Sequence, residues 1–576
     1  MDKLIAAQHY TVWSLIKTYW QSQHRLRAYL VYVLLVILTV AVVETDVALT
    51  YWSNYFYNAL QAYDKHEALF LLGVFMLLAL FYISLLVIRF FTWQMFGLHW
   101  RRWLTEQVIG RWLQKRGYYY LENFDEKTDN PDQRIQDDVG TLIANSIDLS
   151  LSLIGNILTF VSFIYVLWSL SGVLTIPLGS WGEIHIHGYL VWISVLYSLF
   201  GTAITFKVGR PLVNLNFEQQ RREATFRYAA IDLRSHAEDV ALYRGEEHQK
   251  SILRKLFDSV LDNTYAIILR STGLLTFTSF FGQVSVILPF LVVMPNYFNK
   301  VFLLGGLMQS LRAFNSVQDS LSFIINSYIQ IAQWQATGRR LTTFLNPLTD
   351  VEEKVEMSSN LVVANQNENK ITTRGLSLST PRNELLLRNI DETFTHGTNY
   401  LIKGVSGIGK STFLRTLAGI WPYVKGEIVF PEKHHVMFLP QLPYMPIGTL
   451  AETIMFPDKH EPALDARLVE VLRDCKLENF IPRLHDTAPW AEQLSPGEQQ
   501  RIAFARVLLH KPDWVFMDES TSMLDLASEV HLYKMLKQKL PGCSLVSVGH
   551  RPSLDALHDH IVDMTKYSER MSPQPA

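Results

Sequence analysis

Cysteine is almost missing: the only two, Cys475 and Cys543, lie in the C-terminal half of a 576-residue chain. Two cysteines build neither a disulfide framework nor a metal-ligand spacing, so a reducing compartment is the simplest setting for that half. Charge is scarce as well. Only 18% of residues are Asp, Glu, Lys or Arg, and they nearly cancel to a formal net charge of -2. Without a basic surplus there is no electrostatic footprint for phosphate backbones, which argues against a nucleic-acid partner. Residues 1–27 do not read as a cleavable signal, because they mix charges with Trp13, Ile16, Tyr19 and Trp20 and no small-residue cleavage site follows. Their spacing suits an interfacial helix lying on a membrane ahead of the first span, although an ordinary amphipathic surface helix has the same pattern.

What the chain has in abundance is apolar sequence. Apolar residues make up 49% and aromatics 12%, concentrated before about residue 330, while charged, mixed sequence follows about residue 366. That length and contrast suit two or three domains. A bilayer core takes about 20 apolar residues as a helix. Ala68 to Ile88 is the clearest such run, and Ala28 to Val43, continuing towards Trp52, precedes it. Leu149 to Leu170, Tyr189 to Phe206 and Thr272 to Val293 follow. Val301 to about Ile331 is the sixth expected span, and its polarity predicts that it lines a cavity rather than facing lipid.

Loop charge gives an orientation. Arg101, Arg102, Arg111, Lys115, Arg116, Lys127 and Arg134 crowd the stretch between spans two and three. Ten more basic residues, from Lys207 to Lys255, lie between spans four and five, whereas the other three loops hold one, none and one. Basic loops stay in the cytoplasm, so both chain ends are expected inside, with the two long excursions carrying helices below the membrane. The expected layout is an elbow helix over 1–27, a six-helix transmembrane domain over 28–345, a linker over 346–370, an α/β domain over 371–566 and a disordered tail over 567–576.

The chemistry lies in the α/β half. Gly404-Val405-Ser406-Gly407-Ile408-Gly409-Lys410-Ser411 matches GxxxxGK[ST] between the strand-like Tyr400-Leu401-Ile402 and a helix-like stretch beginning beyond Thr412. Glycines let the backbone curl so that its N–H groups and the helix N-terminus face phosphate oxygens. Lys410 is expected to reach the β- and γ-phosphates of ATP, and Ser411 to ligate Mg²⁺. Downstream, Trp514-Val515-Phe516-Met517 is an apolar strand ending in Asp518 and Glu519. Asp518 is expected in the Mg²⁺ shell and Glu519 beside the attacking water, since phosphoryl transfer needs mostly positioning and charge compensation.

Three further pieces resemble ABC transporters. Leu494-Ser495-Pro496-Gly497-Glu498-Gln499-Gln500-Arg501 is similar to the ABC signature, Gln441 in Leu439-Pro440-Gln441 to the Q-loop, and His550 with Ser522-Met523-Leu524-Asp525 to the switch histidine and D-loop. That resemblance implies a P-loop ABC nucleotide-binding domain of α/β fold beneath an α-helical six-span domain of exporter type. It further implies that two such ATPases meet head to tail, with Ser495, Gly497, Glu498 and Asp525 of one copy completing the nucleotide site of the other. Gln441 would sense Mg²⁺, and His550 would contact the γ-phosphate. With one ATPase per chain, the economical partner is a second copy of itself. Two positions depart from the pattern: Pro496 replaces a glycine, and Leu376 to Pro381 offers no aromatic residue to stack on adenine.

The excursions narrow the resemblance. Tyr118-Tyr119-Tyr120-Leu121 with Asp129-Asn130-Pro131-Asp132-Gln133-Arg134-Ile135, and Glu238 to Glu246, are similar to segments of the SbmA/BacA-like, YddA-type bacterial transporters that carry their own ATPase, and of the related peroxisomal acyl-CoA half-transporters. Read as a bare pattern, Asp129 to Arg134 is a solvated turn. The chain ends Gln574-Pro575-Ala576, without a peroxisomal address, which favours a bacterial inner membrane surrounded by its lipids.

Ionisable groups within spans are functional candidates because burying them is costly. Glu44, Asp46, Arg89 and Arg312, with Tyr51, Trp52 and Tyr55 nearby, suit a polar or amphipathic solute of appreciable size; structural pairing is the competing reading. Glu183, His185 and His187 alternate in an outer loop and read as a plain hairpin before a metal site. The resemblance suggests peptides, corrinoid vitamins or other hydrophilic compounds as cargo. A fatty-acyl or acyl-CoA transporter and a non-transporting ATP-gated regulator are the alternatives.

Overall fold

The structure, a computed structural model, describes residues 9–124, 130–177, 183–359, 362–365, 369–431 and 435–568. The chain divides into two compact units, Met1–Thr349 and Asp350–Ala576.

The first unit opens with α1 (Val12–Gln21), started by a capping box between Thr11 and Ser14. Its apolar stripe buries Leu15 and Tyr19, and the Tyr19 ring stacks on Trp100 at 5.0 Å. Helices α2 (Arg25–Gln61), α3 (Lys65–Leu113), α4 (Val139–Ser171), α5 (Tyr189–Ser235) and α6 (Glu246–Phe298) follow. Among the described residues, these five lie in the helical stretches long and apolar enough to cross a membrane. Many of their large side chains, such as Phe81, Ile88 and Phe91 on α3, are exposed on the single chain. Side chains of that kind belong against lipid or another apolar surface. Helices α3, α5 and α6 run well past the expected spans, and the short helix Ala237–Leu242 caps the α5–α6 excursion.

The expected sixth span is α7 (Leu304–Asn326), 23 residues long and outside the apolar set. Its polarity has an internal solution. The Leu304 and Gly305 N–H groups donate to Gln61 Oε1 and Asn58 Oδ1 of α2 at 2.7 and 2.8 Å. The Asn54 amide donates to Gln309, and the Ser285 hydroxyl of α6 donates to Gln318. A cavity of about 610 Å³ is lined by α2, α3 and α4. Backbones also touch closely here: a Cβ on Gly305 would overlap the Asn54 carbonyl oxygen. Gly305→Val is expected to push α7 off α2 and destabilise the membrane unit by about 1–3 kcal/mol or more. Thermal unfolding of the detergent-solubilised chain checks this, and an unchanged midpoint would contradict the close approach.

A helix, α8 (Tyr328–Ser359), follows. It carries Arg340, whose guanidinium grips the buried Asp138 carboxylate at 2.6 and 2.9 Å while Arg134 donates to the same group at 3.1 Å. The turn expected over Asp129 to Arg134 is corrected in its described part. Asn130 takes a left-handed φ of 47°, and helical turns then run from Pro131 through Asp138 into α4. Arg134 is drawn into them by Asp138; Asp129 lies outside the described residues. The polar stretch expected as a linker is helical as far as Ser359 and then forms strand Val362–Asn365. Glu183 to His187 pairs antiparallel with Val173–Pro177, His185 facing Thr175. No group of three or more His, Cys, Asp or Glu disposed for a metal occurs among the described residues.

The second unit holds two five-stranded sheets and a short antiparallel pair, Gly448–Thr449 with Thr487–Ala488, among the described residues. Taking the hairpin strands Val173–Pro177 and Glu183–His187 as β1 and β2, strands β3 (Val362–Asn365), β4 (Lys370–Ser379), β5 (Leu385–Ile390), β6 (Thr393–Thr395), β7 (Tyr400–Lys403), β8 (Val424–Pro431), β9 (Val436–Leu439), β10 (Trp514–Asp518), β11 (Ser544–Val548) and β12 (His560–Asp563) follow. The core sheet is all parallel in the order β12-β7-β11-β10-β9. Parallel strands covered on both faces read as continuous apolar runs, and Trp514, Val515, Phe516 and Met517 are all fully buried. The second sheet runs β3-β8-β4-β5, with β6 on β4. Cys475 and Cys543 are both free thiols. Tyr567, at the start of the expected tail, still hydrogen-bonds Glu392 at 2.8 Å, and residues 569–576 lie outside the described set.

One buried polar chain is expected to make this unit pH-sensitive. The Tyr533 hydroxyl donates to Ser547 Oγ at 2.9 Å, Ser547 donates to His558 Nε2 at 2.8 Å, and His558 Nδ1 donates to Leu554 O at 2.8 Å. Burial lowers the His558 pKa below its ordinary 6.5, and protonating Nε2 would break the Ser547 bond. A base whose folded pKa is depressed contributes stability that is complete above the unfolded value and lost as pH falls towards the folded one. The unit is therefore expected to melt at lower temperature at about pH 5.5 than at about pH 7.5, with a smaller difference in His558→Leu. Calorimetry of the full chain checks it.

Candidate functional site: a phosphate loop beside two carboxylates

Strand β7 ends at Lys403, and the chain turns through Gly404–Gly409 into α9 (Lys410–Leu417). Gly407 and Gly409 take φ of +77° and +113°, a region that side chains with a Cβ rarely enter. The turn turns its backbone towards the start of α9, where N–H groups lack intrahelical partners. Val405, Ser406 and Gly407 are exposed, whereas Ile408 is buried and fixes the loop to the core.

Lys410 is only 6% exposed. Its ammonium donates to Gly404 O at 2.9 Å and Val405 O at 3.2 Å, so the cation is folded back over the loop. Burial lowers its pKa, and the nearby Glu519 and Asp518 carboxylates partly offset that. A desolvated cation whose only direct acceptors are carbonyls is well matched to an incoming polyphosphate. The Ser411 hydroxyl donates to Asp518 Oδ1 at 2.9 Å, which brings the end of β10 to the phosphate loop. The Thr412 carbonyl accepts from the Thr416 hydroxyl one turn on.

Glu519 follows with φ +48°, a left-handed conformation that a glutamate adopts only when its surroundings impose it. Its N–H donates to Val548 O at 3.1 Å, which fixes the residue against β11. The carboxylate then sits 3.6 Å from His550 Nε2, both side chains remaining partly open. Lys410, Ser411, Asp518, Glu519 and His550, all expected from sequence, thus converge at the ends of β7, β10 and β11.

The remaining expected residues lie elsewhere on the unit. Ser495 is the N-cap of α10 (Pro496–His510) in a reciprocal box with Glu498, its hydroxyl donating to Glu498 Oε2 at 2.7 Å. Pro496 occupies the first helical turn, where the missing N–H is an orphan donor in any case, so its substitution for glycine leaves the helix intact. Gly497 lies beside the Met523 carbonyl. Asp525 caps α11 (Leu526–Lys539) by accepting from Ser528 N–H at 2.9 Å, and those hydrogen bonds lower its pKa. Gln441 is exposed on the loop after β9. No hydrogen bond among the described residues joins Ser495, Gly497 or Glu498 to the 404–412 loop.

Sequence reasoning missed the residues that hold these loops together. Gln500 is fully buried; its amide donates to Gln441 O at 3.0 Å and Ser522 Oγ at 3.3 Å and accepts from Met523 N–H at 3.1 Å. Arg551 donates to Leu524 O and Ser522 O, both at 2.8 Å, and lies 3.5 Å from the fully buried Glu529. Nothing local in the sequence marks these pairs, since the partners are distant along the chain.

In the membrane unit Arg312 of α7 donates to Asp46 of α2 at 2.8 Å, while Arg89 and Asp46 both border the 610 Å³ cavity. Glu44 is exposed in the middle of α2. Trp52 donates to Leu71 O and stacks on Phe56, so it braces the α2–α3 pair, and Tyr51 and Tyr55 are exposed.

A strand–loop–helix of this geometry, with a buried lysine and a strand-end carboxylate pair, defines a P-loop ATPase. Two family comparisons agree with it: residues 15–298 match the ABC transporter transmembrane region 2 and residues 387–522 match the ABC transporter ATPase domain. The chain is 33% identical to the inner membrane ABC transporter ATP-binding protein YddA of Escherichia coli, over 96% of both chains. It is 34% identical to an ABC transporter ATP-binding protein of Haemophilus influenzae, over 95% of this chain and 90% of that one. ATP-binding cassette sub-family D member 3 of Homo sapiens is 27% identical over 80% and 73%. The chain belongs to the ABC transporter family, as a half-transporter with permease and ATPase fused. It binds ATP and couples its hydrolysis to transport across a membrane.

Proposed function

We propose that two copies of this chain form a homodimer in a bacterial inner membrane, both termini in the cytoplasm, and move a hydrophilic solute by closing and reopening around two ATP molecules. The observation that carries the reading is the convergence of Lys410, Ser411, Asp518, Glu519 and His550 on one phosphate loop. Lys410 exchanges its bonds to Gly404 O and Val405 O for the β- and γ-phosphates. Glu519 orients the attacking water and accepts its proton, and His550, 3.6 Å away, contacts the γ-phosphate and holds that carboxylate in place.

The Ser411 hydroxyl and Asp518 carboxylate, which the Gln441 amide oxygen would join from the loop after β9, are oxygen donors that fit Mg²⁺, an ion that keeps few protein ligands beside its phosphates. Bound there, the ion would supply charge neutralisation for the phosphates. Ser411 and Asp518 already lie 2.9 Å apart, so this chain's part is to hold both oxygens on one side of the loop.

Three features support the dimer. Ser495, Gly497 and Glu498 have no bond to the 404–412 loop of their own chain, which leaves them for the loop of the partner copy. Glu44 stands exposed in the middle of α2, where a carboxylate facing lipid is costly, so the face bearing it meets water or a second copy. Leu242 and Tyr243, 75% and 87% exposed at the tip between α5 and α6, offer an apolar surface to a second copy. The charge of the loops supports the orientation. Native mass spectrometry of Glu519→Gln in lipid nanodiscs with ATP and Mg²⁺ tests the assembly. A species of twice 66.4 kDa carrying nucleotide is expected, and a nucleotide-loaded monomer contradicts it.

A further inference from the structure

The cavity between α2, α3 and α4 encloses about 610 Å³, a volume that suits a ligand of drug size. Asp46, Arg89 and Asp148 border it, together with the polar Asn156 and the aromatic Trp93 and Tyr82. These charges are not equivalent. Asp46 is already neutralised by Arg312 at 2.8 Å. Arg89 forms no hydrogen bond or ion pair among the described residues, and Asp148 accepts one hydrogen bond, from Gln330 Nε2 at 2.7 Å, without a cationic partner. Trp93 borders the same space with its indole N–H buried and unpartnered. A half-buried guanidinium without a carboxylate and a half-buried carboxylate without a cation, in a membrane unit, are costly unless something completes them.

The geometry points to a binding site for a zwitterionic solute, whose carboxylate is held by Arg89 and whose ammonium is held by Asp148 against the aromatic wall of Trp93 and Tyr82. One free charge of each sign selects a ligand bearing both, and excludes a simple anion or cation, which would leave one wall charge uncompensated. Arg89 is the one cation among the lining residues, which is too few for a polyphosphate headgroup such as that of an acyl-CoA. Asn156 supplies a neutral polar contact. The inference rests on the transporter reading for its purpose but not for its test, which is made without nucleotide.

The test uses the full chain in nanodiscs and an alanine pentapeptide with free termini, against its N-acetylated and C-amidated forms, by isothermal titration calorimetry. The free peptide is expected to bind, and capping either end is expected to weaken it by about tenfold or more. Arg89→Gln should weaken the free peptide by a similar factor yet leave the affinity of the C-amide unchanged, and Asp148→Asn should do the same for the N-acetyl form. That crossed pattern would not arise from misfolding, which weakens all forms alike. Equal binding of the three forms, no binding of any, or loss of every affinity in both variants overturns the site. Binding without ATP-driven uptake into proteoliposomes would instead contradict the transport reading and leave the site standing.

Discussion

Glu519→Gln is expected to stop ATP cleavage while leaving ATP bound. The change keeps the size of the side chain and its left-handed backbone, held by the bond from Glu519 N–H to Val548 O, and removes only the negative charge and basicity of the carboxylate. Losing a positioned general base costs about 10²–10⁴-fold in rate. Nothing in the Lys410 loop depends on that charge except the partial offset of the burial that lowers the pKa of the lysine. Nucleotide affinity should therefore be retained or rise, since the uncleaved triphosphate keeps its sandwich closed. Phosphate release and equilibrium binding of ATP, measured on the same nanodisc preparation, separate the two quantities. A variant that hydrolyses within a few-fold of the parent, about tenfold or less, would remove Glu519 from the reaction.

Lys410→Ala is expected to fail earlier, at binding. The ammonium is buried and paired only with two loop carbonyls, so its removal takes a bond from Gly404 O and Val405 O and takes away the cation aimed at the phosphates. Truncating one partner of a desolvated charge pair costs about 2–5 kcal/mol, and about 1.4 kcal/mol is tenfold in affinity. ATP affinity should therefore drop by at least about tenfold, and hydrolysis at saturating ATP should fall as well. The opposite signatures of the two variants, tight binding without turnover and weak binding, are the distinguishing result. If both bound ATP normally, the loop would not be the phosphate site.

The legible parts of this molecule are those written in contiguous residues. A phosphate loop needs its glycines and lysine in one short run between a strand and a helix, so Gly404–Ser411 declared itself, as did the strand ending in Asp518-Glu519. Five spans were readable because bilayer thickness imposes one length on all of them. The sixth was placed by its length and position, but nothing in its sequence says that Gln309 and Gln318 accept hydrogen bonds from Asn54 and Ser285. Gln500 and the Arg551–Glu529 pair were invisible for the same reason, being defined by tertiary contacts. Asp148 lies one residue before the apolar run that marked the third span, and so it was read as neither span nor loop. Arg134 was misread as a solvated turn because Asp138, four residues on, pulls it into a helix.

The central claim is that the Ser495 turn of one copy closes over the 404–412 loop of the other when ATP is bound. Disulfide trapping between two differently tagged chains measures it directly. One chain carries Ser406→Cys and the other Ser495→Cys, both in the Glu519→Gln background; the two parental positions are exposed and Cys475 is fully buried. A cross-linked product containing both tags, formed with ATP and Mg²⁺ and absent without them, is the predicted result. No mixed-tag product under any nucleotide condition, with both chains folded and binding ATP, would contradict the account.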